Sequence, residues 1–144
     1  MLTHLSRPFE TELHFQVKFY DVDMLGYAHN IVYIRWLEDL RTALLAPHYS
    51  LQRCINEGIS PIVTKTTIEY KKPLRLADEF IGKVWLSKIE GLRWCVSHEM
   101  YHNGAITATA EQTGIFINLT THRPIPIPQE FSKKFFEHQQ TANG

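Results

Sequence analysis

Residues 12 to 20 alternate in polarity, with Leu13, Phe15, Val17 and Phe19 on one face and Glu12, His14, Gln16 and Lys18 on the other. A period of two predicts a half-buried strand. From Ile31 to about Ala46 the period lengthens: Tyr33, Trp36, Leu37, Leu40, Ala43 and Leu44 recur at helical spacing, opposite Arg35, Glu38, Asp39 and Arg41. That stripe predicts an amphipathic helix, and Pro47, which lacks an amide hydrogen, is expected to end it. An irregular connector follows from Tyr49 to Gly58, with a short helix around Leu51–Ile55. The period then returns to two: Ile62, Thr64, Thr66, Ile68 and Tyr70 share one face of a long strand, with Val63, Lys65, Thr67 and Glu69 opposite.

Pro73 marks a break in pairing. Three further strands are predicted, Glu79–Ile89, Leu92–His102 and Ala105–Leu119, the first pair joined at Gly91 and the second by the hairpin signal Asn103-Gly104. In Leu92–His102 the residues Trp94, Val96, His98 and Met100 share a side. Arg123-Pro-Ile-Pro-Ile-Pro128 is expected to be extended, and Gln129–Gln140 helical with Phe131, Phe135 and Phe136 packed. The sum is an α+β chain: one strand, one long helix, then about four antiparallel strands. One helix cannot cover both faces of such a sheet, and the far face carries Trp85, Ile115, Ile117 and Leu119. Exposed edges and apolar faces call for a partner, and a two-fold pairing of identical sheets is the simplest. A homodimer is expected at minimum, with a homotetramer as the larger alternative.

Size and composition narrow the class. The 144 residues are expected to form one domain, with its core at about 12–120 and an extended segment plus short helix at 121–140. Hydrophobic content of 44% against 21% charged predicts an ordered globule. Fifteen basic residues balance fifteen acidic ones, a balance that implies no basic face for nucleic acid beyond a local patch, and no nucleic-acid partner is expected. Cys54 and Cys95 are too few for a disulfide framework and are expected to be reduced. The start, Met1 to Pro8, lacks the apolar run of a signal peptide, and no segment approaches a membrane span, so a cytoplasmic protein is expected.

The candidate chemistry lies in Asp21-Val-Asp-Met-Leu-Gly-Tyr-Ala-His-Asn30, between the first strand and the long helix. Asn30 suits an N-cap. The first N–H groups of a helix lack partners and carry the positive end of its dipole. Gly26 tolerates positive φ and can turn the chain just ahead of that end. A carboxylate is thereby delivered beside an anion site, as a carbonyl about to become an oxyanion requires. The alternative is that Asp21 and Asp23 are ordinary turn and cap residues.

These residues and the element order resemble the hotdog-fold thioesterases, in particular the branch that contains the 4-hydroxybenzoyl-CoA thioesterase-like and acyl-CoA thioesterase proteins. The resemblance rests on Tyr20-Asp-Val-Asp-Met-Leu-Gly26, Asn30-Ile-Val-Tyr33 and Trp36-Leu-Glu38. Weaker matches are Pro61-Ile-Val-Thr64, Tyr70-Lys-Lys-Pro-Leu74 with Asp78, and Arg123-Pro-Ile-Pro126, so that it runs from about Phe15 to Pro128. It implies a hotdog fold, a long central helix wrapped by a curved antiparallel sheet of about five strands. It also implies an active site at a subunit interface. There Asp23 would be nucleophile or general base on an acyl or aroyl thioester of coenzyme A or acyl-carrier protein, and backbone N–H groups of Ala28, His29 and Asn30 would be oxyanion donors. Where acyl-CoA relatives carry Gly-His-x-Asn-Asn, this chain has Gly26-Tyr-Ala-His-Asn30.

Thr64 and Thr66, which share a strand face, are candidate substrate contacts across the interface, with packing of their methyl groups the alternative; Tyr27 and Tyr33 are further candidates, with core packing the alternative for Tyr33. The phosphates of the carrier call for cations, for which Lys65, Lys71, Lys72, Lys88 and Arg93 are candidates. Asp21 is expected to bond the turn backbone, and Glu38 and Asp39 to be solvated or ion-paired. No cofactor and no metal is expected: His98 and His102 are four apart on a strand, ~13 Å. No Gly-x-Ser-x-Gly elbow or phosphate-binding glycine loop occurs. Two other functions fit the same features, a hotdog dehydratase or hydratase using His29 with Glu38, and a non-catalytic acyl-thioester-binding module.

Overall fold

A computed structural model of the chain describes residues 7–143. Most of the N-terminal stretch read above for a signal peptide lies outside them. Helix α1 (Asn30–Tyr49) organises the rest; of the predicted stripe Tyr33, Trp36, Leu37, Leu40 and Leu44 are buried and Ala43 is half-buried, and Val32, Leu45 and Tyr49 are buried beside them. Leu37 and Leu40 are fully buried, which contributes roughly 1.5–3 kcal/mol for each side chain. Around the helix curves an antiparallel sheet of β1 (Thr11–Gln16), β2 (Ile59–Tyr70), β3 (Glu79–Glu90), β4 (Arg93–His102) and β5 (Ala105–Asn118). The strand order is β1-β3-β4-β5-β2, and a short β6 (Pro124–Ile125) pairs with β5. Two small helices, α2 (Leu51–Asn56) and α3 (Gln129–Asn143), complete the chain. The fold is the hotdog fold expected from the resemblance, with six strands rather than five.

The sixth strand has a simple origin. Strand β4 stops pairing with β5 at Gly114, so the next groups of β5 are free on that side. The extended proline segment fills the gap, with Ile125 opposite Phe116 and Pro124 opposite Ile117. Phe131 and Phe135 of α3 are then buried against the end of the core, while Phe136 stays exposed. The two tight turns read from Gly91 and Asn103-Gly104 are present, with φ of 59°, 51° and 79°.

Several expectations need correction. The first strand ends at Gln16 and the chain enters a 3₁₀ turn at Phe19–Asp21, so Phe19 leaves the buried face and is 77% exposed. Helix α1 does not stop at Pro47 but runs to Tyr49. Loss of one amide donor in the last turns is offset by burial of Leu44, Leu45 and Tyr49. His29, not Asn30, is the N-cap, and no side chain caps the helix. In β2 the alternation is not continuous: Val63 faces Gly114 and Lys65 faces Thr113, which leaves Thr64 as the extra residue of a bulge. The inward set is therefore Ile59 and Val63 before the bulge and Ile68 after it. The outer sheet face is also less apolar than expected, because Trp85 lies beneath the Arg7 guanidinium, 3.7 Å from the ring centroid.

Glycine is required where β5 passes Trp94. A Cβ at Gly114 would lie 2.1 Å from the Ile62 carbonyl oxygen and 2.2 Å from the Trp94 ring. The indole thus lies flat across the strand, and its Nε1–H donates to the Ile115 carbonyl at 3.2 Å.

Candidate active site

Residues 21–29 form a small hairpin-like loop between the 3₁₀ turn and α1. Val22 bridges to Ala28, and the Asp23 N–H donates to the Tyr27 carbonyl at 2.8 Å. Gly26, at φ 81°, makes the reversal. The Asp23 carboxylate completes the turn, since its Oδ1 accepts the N–H groups of Leu25 at 2.9 Å and Tyr27 at 3.1 Å. The second oxygen, Oδ2, has no partner among the described residues, and Asp23 is exposed. Asp21 differs in burial and in having a cation beside it. It is 4% exposed, its Oδ2 accepts the Lys18 N–H at 2.9 Å, and its Oδ1 lies 3.7 Å from Arg35. The structural role expected for Asp21 is the one observed.

The segment after β2 clamps this loop. Ala28 N–H donates to the Leu74 carbonyl at 2.8 Å, Leu76 N–H to the Gly26 carbonyl at 3.0 Å, and His29 N–H to the Asp21 carbonyl at 2.9 Å. Arg75 reaches the Tyr27 hydroxyl at 3.3 Å. Of the three backbone donors read from sequence, Ala28 and His29 therefore have carbonyl acceptors within this chain. The N–H groups of Asn30 and Ile31, at the open start of α1, have none among the described residues. Tyr70 lies beside them and donates its hydroxyl to the Asn30 carbonyl at 3.3 Å.

The remaining candidates scatter. Tyr27 lies in the loop, but Tyr33 is buried, packed edge-on against Trp36 and Tyr70. Burial and the neighbouring Tyr70 push the Tyr33 hydroxyl up to about 12, opposed by a backbone hydrogen bond at Leu74, so it stays protonated. Thr64 is exposed and donates to the Thr113 carbonyl at 3.2 Å. Thr66 instead accepts a hydrogen bond from the buried Gln112 at 3.2 Å. Lys65 and Lys88 fall in one cross-strand row through Thr113 and Cys95, three strand spacings or ~14 Å apart. Arg93 lies at the adjacent hairpin, whereas Lys71 and Lys72 follow Tyr70, at the helix-start end of β2. Lys88 is paired with Glu90 at 2.7 Å and Lys71 with Glu69 at 3.6 Å. His29 and Glu38 are nine residues apart along α1, ~13 Å of helical rise, and do not converge within one chain.

Two features escaped the sequence reading. The first is a buried polar network: the Gln112 Oε1 accepts from Arg41 at 3.1 Å and lies 3.1 Å from His98 Nε2, while Arg41 also pairs with Glu38 at 2.7 Å. Its signal was Gln112, a polar residue at an inward position between Ala110 and Gly114. The second is a cavity of about 200 Å³ between α1, α2, α3 and the sheet, floored by Leu86, Val96, Phe116 and Trp94. No local pattern announces a void. A wider cleft of about 940 Å³ runs along β1 and includes Asp21, Arg35 and Trp36 but not Asp23.

A surface around the motif is apolar: Met24, Leu25 and Ile31 are each at least 80% exposed, and Tyr20, Ile34 and Tyr70 are exposed nearby. It is continuous with β2, which stands at the edge of the sheet.

A curved sheet around one long helix, with an acidic turn at the helix start, defines the class of hotdog thioesterases. The chain belongs to the Thioesterase-like superfamily, whose family model matches residues 17–135. Among curated relatives, it is 25% identical over 126 residues to the acyl-acyl carrier protein thioesterase ATL3 of Arabidopsis thaliana, across 86% of this chain and 66% of that protein. It is 23% identical to the acyl-CoA thioester hydrolase YbgC of Escherichia coli, across 83% of this chain and 91% of that one. Among solved structures, the protein SAV2348 of Staphylococcus aureus in complex with CoA superposes with a TM-score of 0.83 at 18% identity, covering 97% of this chain and 89% of the other. Among the described residues no helix is long and apolar enough to cross a membrane.

Proposed function

We propose that this thioester hydrolase uses Asp23 to cleave an acyl thioester of coenzyme A or acyl-carrier protein into a free acid and a thiol. The observation that carries the reading is the state of the Asp23 carboxylate. Oδ1 is held by two backbone N–H groups while Oδ2 has no partner among the described residues, in the loop that leads into the start of α1, where the N–H groups of Asn30 and Ile31 have none either. Those two N–H groups, at the positive end of α1, are the oxyanion donors of the proposal. Ala28 and His29 hold the loop that presents them. As nucleophile, Oδ2 adds to the thioester carbon, the carbonyl oxygen takes up the negative charge, and collapse expels thiolate to leave a mixed anhydride that water hydrolyses. As base, Oδ2 takes a proton from the water that attacks. In both routes one water is consumed, and one acid and one thiol are formed.

The site is completed by a second copy. The long edge of β2 and the apolar surface at Met24, Leu25 and Ile31 support a two-fold dimer through β2. Tyr27, Thr64 and Thr66 remain the proposed substrate contacts, Tyr33 acting through packing, and Lys65, Lys71, Lys72, Lys88 and Arg93 the cations for the carrier. The test is a panel of acyl and aroyl thioesters on both carriers, read with a thiol reagent, with mass by light scattering alongside. Thiol release from a dimer or tetramer is expected. Loss of water from 3-hydroxyacyl substrates without thiol release identifies a dehydratase, and saturable binding without turnover a binding module. A monomer at micromolar concentration overturns the shared site.

A further inference from the structure

We infer that the cavity under α1 receives the end of an unsubstituted aliphatic acyl chain presented by the partner subunit, so that the enzyme selects medium-chain thioesters. The inference rests on the thioesterase reading above and on pairing through β2.

Geometry supplies the route. Ser60 and Pro61, at the start of β2, lie on the rim of the cavity. Tyr70, at the other end of the same strand, is bonded to Asn30 at the helix start. An antiparallel two-fold pairing of β2 with its copy sets the first end of one strand beside the last end of the other. The catalytic loop of one subunit is thereby delivered to the rim of the other subunit's cavity.

Chemistry sets the occupant. The floor side chains Leu86, Val96 and Phe116 are buried and apolar, and the one polar atom of Trp94 is already used by the Ile115 carbonyl. A hydroxyl placed against that floor would be buried without a partner, which is disfavoured; the polar lining groups, Glu38, Arg41, Thr42 and Ser60, are all on α1 and the start of β2. At the rim, Arg41 is held by Glu38 and Gln112 and offers no free charge to a polar chain end. A volume of about 200 Å³ holds roughly seven heavy atoms at about 30 Å³ each, so the last six to eight carbons of a chain fit. The carbonyl end stays outside the cavity, so an acyl group of about eight carbons or more is expected.

The experiment is the chain-length profile of kcat/KM from acetyl- to palmitoyl-CoA, with 4-hydroxybenzoyl-CoA for contrast, in the native protein and in Thr42→Phe. Thr42 is exposed on the cavity rim, so a ring there obstructs the entrance without entering the core. In the native protein kcat/KM is expected to rise about three- to fourfold per methylene from butyryl to decanoyl. The decanoyl-to-butyryl ratio is expected to collapse at least tenfold in Thr42→Phe. Octanoate should change the tryptophan fluorescence of the native protein, through Trp94, and not that of the variant. A flat profile, a preference for 4-hydroxybenzoyl-CoA, or a variant with an intact ratio overturns the chain pocket and leaves the hydrolase reading standing. If no substrate releases thiol, the hydrolase reading fails, and octanoate decides the cavity alone: unchanged fluorescence up to millimolar concentration overturns it.

Discussion

Acidification tests the buried network at a single atom. His98 is 1% exposed, its Nε2 is 3.1 Å from the Gln112 Oε1, and its Nδ1 has no partner among the described residues. Because an amide oxygen only accepts, Nε2 carries the proton of the neutral ring, and a second proton would have to sit on Nδ1 facing no acceptor. Burial is the chief cause that lowers the His98 imidazole to about 4; the Gln112 hydrogen bond opposes it and the Arg41 charge adds to it. An unfolded histidine titrates near 6.5, so between about 6.5 and 4 the unfolded chain binds more protons and stability rises with pH. Going from pH 7 down to 4.5 removes on the order of 2.5 kcal/mol through this group. The comparison that isolates it is urea unfolding of the native protein against His98→Leu, which leaves Gln112 still bonded to Arg41. The variant's stability relative to the native protein should improve by about 2.5 kcal/mol over that interval. His48, also lowered by burial, titrates in both proteins and cancels. Parallel curves, within about 0.5 kcal/mol from pH 7 to 4.5, would refute the reasoning.

Two other substitutions separate chemistry from folding. Asp23→Asn keeps an Oδ1 for the Leu25 and Tyr27 N–H groups, so unfolding should shift by less than about 0.5 kcal/mol, while kcat for thiol release falls by about two to four orders of magnitude. Asp23→Ala removes both bonds and should also cost about 1–2 kcal/mol in denaturant; a loss of activity under tenfold in the Asn variant contradicts the assignment. Gly114→Ala forces a Cβ against a carbonyl and an indole that cannot both yield, for more than about 3 kcal/mol, whereas Gly82→Ala meets only side-chain ends, Leu40 at 2.8 Å and the Phe15 ring at 2.9 Å, and should cost about 1–3 kcal/mol. Equal melting temperatures for the two would show that the Trp94 contact is not fixed.

How much of this was legible in the chain depends on whether the cause was local. The stripe from Tyr33 to Leu44, the two glycine hairpins and the alternation of Trp94, Val96, His98 and Met100 are local periodicities, and they appear where the sequence put them. Phe19 failed because its apolar character was read as the fourth inward position of the strand, while Asp21 closes a 3₁₀ turn onto the Lys18 N–H at 2.9 Å. Pro47 failed for the opposite reason: a strong local breaker was overridden by the burial of Tyr49 beyond it.

The loop from Asp21 to Asn30 was found because its residue types are those a turn before a helix requires. Sequence alone determined that a carboxylate and a glycine stand ahead of the main helix and that antiparallel strands follow it, and the family resemblance implied the hotdog arrangement. Tertiary structure decided which carboxylate is free. Asp21 is drawn into the core beside Arg35 and Asp23 is left with one open oxygen. Leu74 and Asp21 consume the N–H groups of Ala28 and His29 and leave those of Asn30 and Ile31. The cavity beneath α1 was equally invisible, because a void is the space that α1, α2, α3 and the sheet fail to fill together, and no residue encodes it alone.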